Sequence, residues 1–179
     1  VSTGIIAAGN EFSLCICDSS HTVSYYVFTC FYACRVSSRT NQIYQVKKGG
    51  LLPLEDNVGA HCMTDPSTLS SFIQYCSKKF PANRNELILW DHGCGSVSGY
   101  GYDEKFASSG SMSLAEIDKA LSDGGVKFDW VGFDACLMAT TENALMLSKH
   151  ADYMIASEET EPGIGWYYTN WRTELSENP

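Results

Sequence analysis

Two loops carry the side chains that could do chemistry. The run Glu86-Leu87-Ile88-Leu89-Trp90-Asp91 ends at His92-Gly93-Cys94-Gly95, and the run Trp130-Val131-Gly132-Phe133-Asp134 ends at Ala135-Cys136. A thiol attacks as its thiolate, and an imidazole titrates near neutral pH. Together they can run acyl transfer: the sulfur attacks a carbonyl, and the imidazole protonates the leaving amine and then activates water. His92 and Cys136 are 44 residues apart, a separation compatible with adjacent strands joined by a crossover. Both loops would then lie at the carboxyl edge of one sheet, where open α/β sheets bind ligands. Each residue also has a plainer reading, Cys136 as a small buried hydrophobe and His92 as a structural histidine at a strand end.

Parallel strands with helical crossovers would position them. Strands at Leu87–Trp90, Trp130–Phe133 and Tyr153–Ala156 alternate with two helices, and this β-α-β-α-β order requires parallel strands with right-handed crossovers. The first helix opens on a Ser113/Glu116 capping box with Met112 able to staple against Ile117. Leu114, Ile117 and Leu121 form its buried face, and Gly124-Gly125 ends it. The second, 137–149, carries Thr140, Thr141 and Glu142 in its opening turn and would aim unpaired N–H groups at the thiol, favouring the thiolate. Upstream, Asp65-Pro66 reads as an N-cap and first turn, with Leu69, Phe72, Ile73 and Cys76 as the apolar stripe. Ile43–Val46 and Leu51–Leu54 read as a hairpin whose turn holds Gly49-Gly50, with Pro53 suited to an edge strand. Residues 1–38 hold three charged side chains, Glu11, Asp18 and Arg35, and no sustained apolar period. Tyr25–Tyr32 is the candidate strand there.

A chain of 179 residues with 44% apolar content fits one domain, 1–179, with a real core. No apolar run approaches the ~20 residues of a membrane span, and no signal peptide opens the chain. Without an initiator Met, and ending at Asn178-Pro179, it reads as a processed chain or a fragment at both ends. Residues 1–90 carry 7 basic and 6 acidic side chains, whereas residues 91–179 carry 5 basic and 15 acidic ones. The acidic half therefore holds both candidate residues, which disfavours nucleic acid and favours basic substrates. Eight cysteines point to an oxidising, secreted or cell-surface setting. No Cys-x-x-Cys occurs, so the metal readings of His61-Cys62 and His92-x-Cys94 are weak and no metal is assigned. Gly93, Gly95 and Gly99 miss the dinucleotide spacing, and no G-x-S-x-G elbow exists.

The words Leu87-Ile-Leu-Trp-Asp-His-Gly93, Val131-Gly-Phe-Asp-Ala-Cys-Leu-Met-Ala-Thr140, Ala156-Ser-Glu-Glu-Thr-Glu-Pro-Gly163 and Gly165-Trp166 occur in an order that resembles the clostripain-like cysteine peptidases, in the wider caspase-like group. The likeness runs from about Asp56 to Pro179, and residues 1–40 match poorly. It implies an α/β fold, a three-layer α/β/α sandwich with a mostly parallel sheet, here an incomplete domain. It implies a cysteine endopeptidase with a His92–Cys136 dyad, and an oxyanion site made by the N–H groups of Gly93 and Cys136.

The resemblance also implies cleavage after Arg or Lys, so the partner is a peptide or protein with a basic P1 residue. Asp134, two before the thiol, is the matching carboxylate, and Glu158 and Glu159 are further substrate-binding candidates. Asp134 could instead order its loop by accepting N–H bonds. Glu158, Glu159 and Glu161 could alternatively hold calcium, although the chemistry itself requires no cofactor. Relatives carry Gly-Trp-Asp-Tyr where this chain has Gly165-Trp166-Tyr167-Tyr168, and a glycine where it has Cys94. Relatives are often cut by themselves between the histidine and cysteine strands, and Lys105 is the one basic residue in the 92–111 loop. Two rival readings stand beside this one: a catalytically inactive caspase-like fragment that only binds, and a caspase-group peptidase or transpeptidase of other P1 specificity.

Overall fold

Eight strands form one sheet: β1 (Thr3–Ala7), β2 (Phe12–Asp18), β3 (Val23–Thr29), β4 (Gln42–Lys47), β5 (Gly50–Glu55), β6 (Arg84–Trp90), β7 (Phe128–Asp134) and β8 (Ala151–Ile155). This computed structural model describes residues 40–45, 52–163, 165–168 and 170 with their side chains. It describes 3–7, 12–18, 23–29, 46–47 and 50–51 as backbone. β8 stands at one edge, followed by β7 and β6, then the N-terminal strands, with β4 and β5 at the other edge.

β6, β7 and β8 are parallel, with Leu87 opposite Val131 and Val131 opposite Met154. β6 and β7 present Leu87, Leu89, Val131 and Phe133, all fully buried, to the core they share with the helices. The expected hairpin is present: β4 and β5 pair antiparallel, and Pro53 lies on the edge strand, where a missing N–H costs no ladder bond. Within 1–38, where the sequence offers one candidate strand, the backbone carries three. The four N-terminal cysteines and any bonds between them lie outside the residues described with side chains.

Helix α1 (Pro66–Lys79) follows its sequence signals closely. Asp65 caps it by accepting from the N–H of Ser67 at 2.7 Å, and Leu69, Phe72, Ile73 and Cys76 are all buried. A one-turn helix, α2 (Gly95–Ser98), follows β6. Helix α3 (Leu114–Gly124) has the full Ser113/Glu116 capping box and ends on Gly125 in the left-handed conformation. α1 and α3 pack together so tightly that a Cβ on Gly124 would stand 2.8 Å from the Ile73 side chain.

Helix α4 departs from expectation. It spans Thr141–Leu147, with the Thr140 hydroxyl accepting from Asn143 N–H at 3.2 Å, rather than beginning at Leu137. Leu137 has φ +62°, which bars it from a right-handed helix and turns the chain between Cys136 and the cap. No helix among the described residues is long and apolar enough to cross a membrane.

Candidate active site

Register brings the candidate residues together. Trp90 on β6 lies opposite Asp134 on β7, so His92 and Cys136, each two positions further on, leave the same sheet edge side by side. The loops then touch through Gly93. A Cβ there would collide with the carbonyl oxygen of Cys136 and stand 2.8 Å from Met138 Cγ, so only glycine permits this approach. No hydrogen bond among the described residues engages the N–H groups of Gly93 or Cys136. Both remain available to an oxyanion.

The His92 side is stitched locally. Asp91 accepts from His92 N–H through Oδ1 at 2.6 Å and from Tyr102 N–H through Oδ2 at 3.2 Å. His92 C=O accepts from Gly101 at 2.8 Å, and Tyr100 and Met112 exchange backbone bonds at 2.9 and 2.8 Å. Tyr100 is buried, with its ring edge-on to Phe133 at 5.8 Å, and burial pushes its hydroxyl pKa well up. The His92 side chain is exposed, and no hydrogen bond joins its imidazole to Cys136. Catalytic contacts of this kind commonly tighten only when substrate binds.

The Cys136 side is held from far along the chain. Ala139 N–H donates to Ser157 C=O at 2.9 Å, and Leu137 N–H donates to Glu159 C=O at 3.0 Å. Both bonds run the same way, from the turn after Cys136 to the 157–159 segment, which passes it in the opposite direction. Two residues on, Glu161 N–H donates to Cys136 Sγ at 3.3 Å, and Glu161 C=O lies 4.0 Å from the same sulfur. The expected helix N-terminus is therefore replaced at the thiol. α4 begins five residues later, and a single peptide N–H from the 157–168 strap reaches the sulfur. No local sequence signal marks that contact, because its partners are 25 residues apart.

Asp134 is buried, and its Oδ2 accepts from Trp166 N–H at 2.9 Å and from Tyr168 hydroxyl at 2.6 Å. Burial and that carboxylate push the Tyr168 hydroxyl pKa far up. Gly165, at φ +66°, lies so close that a Cβ would sit 2.6 Å from Asp134 Oδ2. Gly132 opens the slot for the Trp166 ring, since a Cβ there would meet it at 2.7 Å. Trp166 Nε1 donates to Glu161 Oε1 at 3.3 Å. Burial, and then the adjacent Asp134 carboxyl, raise the Glu161 pKa to about 7. Its Oε2 is buried without a hydrogen-bond acceptor or donor assigned to it.

The remaining candidates lie apart from this network. Glu158 and Glu159 are exposed, and the Glu161 carboxyl turns toward Trp166. No group of three or more His, Cys, Asp or Glu side chains among the described residues is placed to hold a metal ion. The calcium reading of the glutamates and the metal readings of His61-Cys62 and His92-x-Cys94 thus find no ligand set there. Cys94 is exposed and Cys62 half-buried, and both are free thiols. Lys105 is exposed, but in a capped 3₁₀ turn, Glu104–Ser109, rather than an open loop. Asp103 is buried there, accepting from Lys105 N–H and Met63 N–H at 2.9 Å each.

A thiol and an imidazole leaving neighbouring parallel strands at one carboxyl edge is the layout of caspase-like cysteine peptidases. A model described as the clostripain family, peptidases C11, matches residues 13–178, and the chain belongs to that family. It is 29% identical over 123 residues to clostripain of Hathewaya histolytica, covering 59% of this chain and 23% of that one. A secreted C11 cysteine protease of Bacteroides thetaiotaomicron, solved with an irreversible peptide inhibitor, matches with TM-score 0.61 at 23% identity, over 77% of this chain and 40% of its own. An inactive zymogen of a C11 protease from Parabacteroides distasonis matches with TM-score 0.60 at 26% identity, over 79% and 40%. The chain thus spans well under half the length of these relatives. The family match also reaches into the N-terminal region, ahead of Asp56, where the likeness read from the sequence begins.

Proposed function

We propose that this chain carries the dyad of a cysteine endopeptidase, with Cys136 as nucleophile and His92 as general acid and base. The observation that supports it most is the β6–β7 register, which sets the two loops side by side with Gly93 pressed against the Cys136 carbonyl. The thiolate attacks the scissile carbonyl, and the N–H groups of Gly93 and Cys136 take the oxyanion. Protonated His92 donates to the leaving amine and then accepts a proton from the water that hydrolyses the thioester. No step requires a cofactor.

The preferred P1 residue is Arg or Lys. The acidic half of the chain, with 15 acidic against 5 basic side chains over 91–179, supports this by steering cations. In this reading Asp134, Glu158 and Glu159 are the carboxylates that bind the basic side chain. Lys105 is the self-processing site in this reading, reached when its turn opens, and the natural setting is secreted or cell-surface. The test is hydrolysis of a peptide library varied at P1. Cleavage after Arg and Lys that vanishes in Cys136→Ala supports the proposal. Cleavage that persists in that variant, or falls after other residues, contradicts it.

A further inference from the structure

We infer that the peptide N–H of Glu161 is the group that orients the Cys136 sulfur and stabilises its thiolate, and that Asp134 is the positioning residue that sets it there. This rests on Cys136 being the nucleophile. A cysteine nucleophile needs a donor or positive charge nearby to keep it ionised. The helix that would ordinarily serve begins at Thr141, behind the left-handed turn at Leu137. What meets the sulfur instead is Glu161: its N–H donates to Sγ at 3.3 Å, and its C=O, 4.0 Å away, accepts from the thiol only while the thiol is protonated.

The strap that delivers this N–H is fixed on both sides of Glu161. Before it, Ser157 and Glu159 accept from Ala139 and Leu137. Extending that spacing brings Glu161 opposite Ala135, one residue before the thiol, and its N–H is directed to the sulfur. After it, Trp166 N–H and Tyr168 hydroxyl converge on one oxygen of Asp134, with Gly165 allowing the backbone to lie against the carboxylate. Asp134 and Cys136 are two residues apart on one strand end, so the anchor and the thiol move together. A hydrogen bond to an ionised sulfur is charge-assisted, and it weakens once the sulfur is acylated. Its effect therefore falls on thiolate formation and not on substrate affinity.

The test follows iodoacetamide alkylation of Cys136 against pH by peptide mass mapping, in a Cys94→Ser background that removes the exposed thiol beside His92. One variant carries the α-hydroxy acid analogue of glutamate at 161, installed by semisynthesis, which replaces the N–H by an ester oxygen. The second is Tyr168→Phe, which removes one anchor bond and leaves the backbone intact. The expected result is a rate at pH 6 about 5–10-fold lower in the ester variant, a smaller fall in the same direction for Tyr168→Phe, and rates at pH 10 within about twofold of the parent. KM for a peptide substrate should be unchanged while the acid limb of kcat/KM moves to higher pH. Unmoved pH profiles in both variants, or an equal loss at every pH, overturn the inference. If the parent protein itself shows no reactivity at Cys136, it is the dyad reading that fails.

Discussion

After β6 the chain leaves the sheet through a loop bonded to its own next twenty residues, by Asp91, Gly101 and the Tyr100–Met112 pair. After β7 it leaves through a turn bonded to residues 157–168. Local stitching leaves the imidazole exposed and without a hydrogen bond to the thiol, whereas the distant strap seats the sulfur half-buried under a peptide N–H. Cys136 is thus the fixed member of the proposed pair and His92 the adjustable one. Gly93 is where they meet.

The most damaging way to break that contrast is at the meeting point. Gly93→Ala places a methyl group against the Cys136 carbonyl and Met138, and backbone cannot yield as a side-chain tip can. Peptidase activity should fall at least ~100-fold, in line with a catalytic misplacement of about 1 Å. Stability should fall by about 1–3 kcal/mol, as overpacking does. Activity within twofold of wild type would show that the two loops need not touch.

A smaller effect, away from the edge, tests whether water reaches the sheet beneath both junctions. Glu86 on β6 is 2% exposed, and burial pushes its pKa to about 7 despite Trp130 and Arg84. Its Oε2 is buried without a hydrogen bond. Folded Glu86 holds its proton more tightly than the unfolded chain, in which a glutamate titrates near ~4.3. Its stabilising contribution is therefore complete below that value and is lost as pH rises to about 7. Thermal melts should show wild type losing on the order of 1–3 kcal/mol more between pH 5 and pH 8 than Glu86→Gln does. Parallel curves would place Glu86 in contact with water.

The least effect is expected at Cys94. Its thiol is exposed beside His92, but it caps only a single helical turn and no strap reaches it. Cys94→Ser should retain peptide hydrolysis within about twofold of wild type, as surface substitutions usually do. A loss above tenfold would move the nucleophile to the histidine side of the edge.

What could be read from sequence divides along the same line. The Asp65 cap, the α1 stripe and the Ser113/Glu116 box depend on residues two to four apart, and the structure holds each where spacing put it. The parallel β6–β7–β8 order follows from alternation of strands and helices. The start of α4 was misplaced because Leu137, a good helix former, takes φ +62°. That conformation is imposed by hydrogen bonds to Ser157 and Glu159, which no window around Cys136 contains. Asp134 was legible as an acid beside the thiol. Its partners at Trp166 and Tyr168 were not, since pairings more than thirty residues apart leave no periodic trace.

The most direct test of the dyad is mass mapping after treatment with an arginyl chloromethyl ketone peptide, on wild type and His92→Ala at neutral pH. The dyad predicts one adduct, on Cys136, formed in wild type and slowed on the order of 100-fold or more without His92. An adduct on Cys94, or labelling of Cys136 at an equal rate without His92, would contradict it.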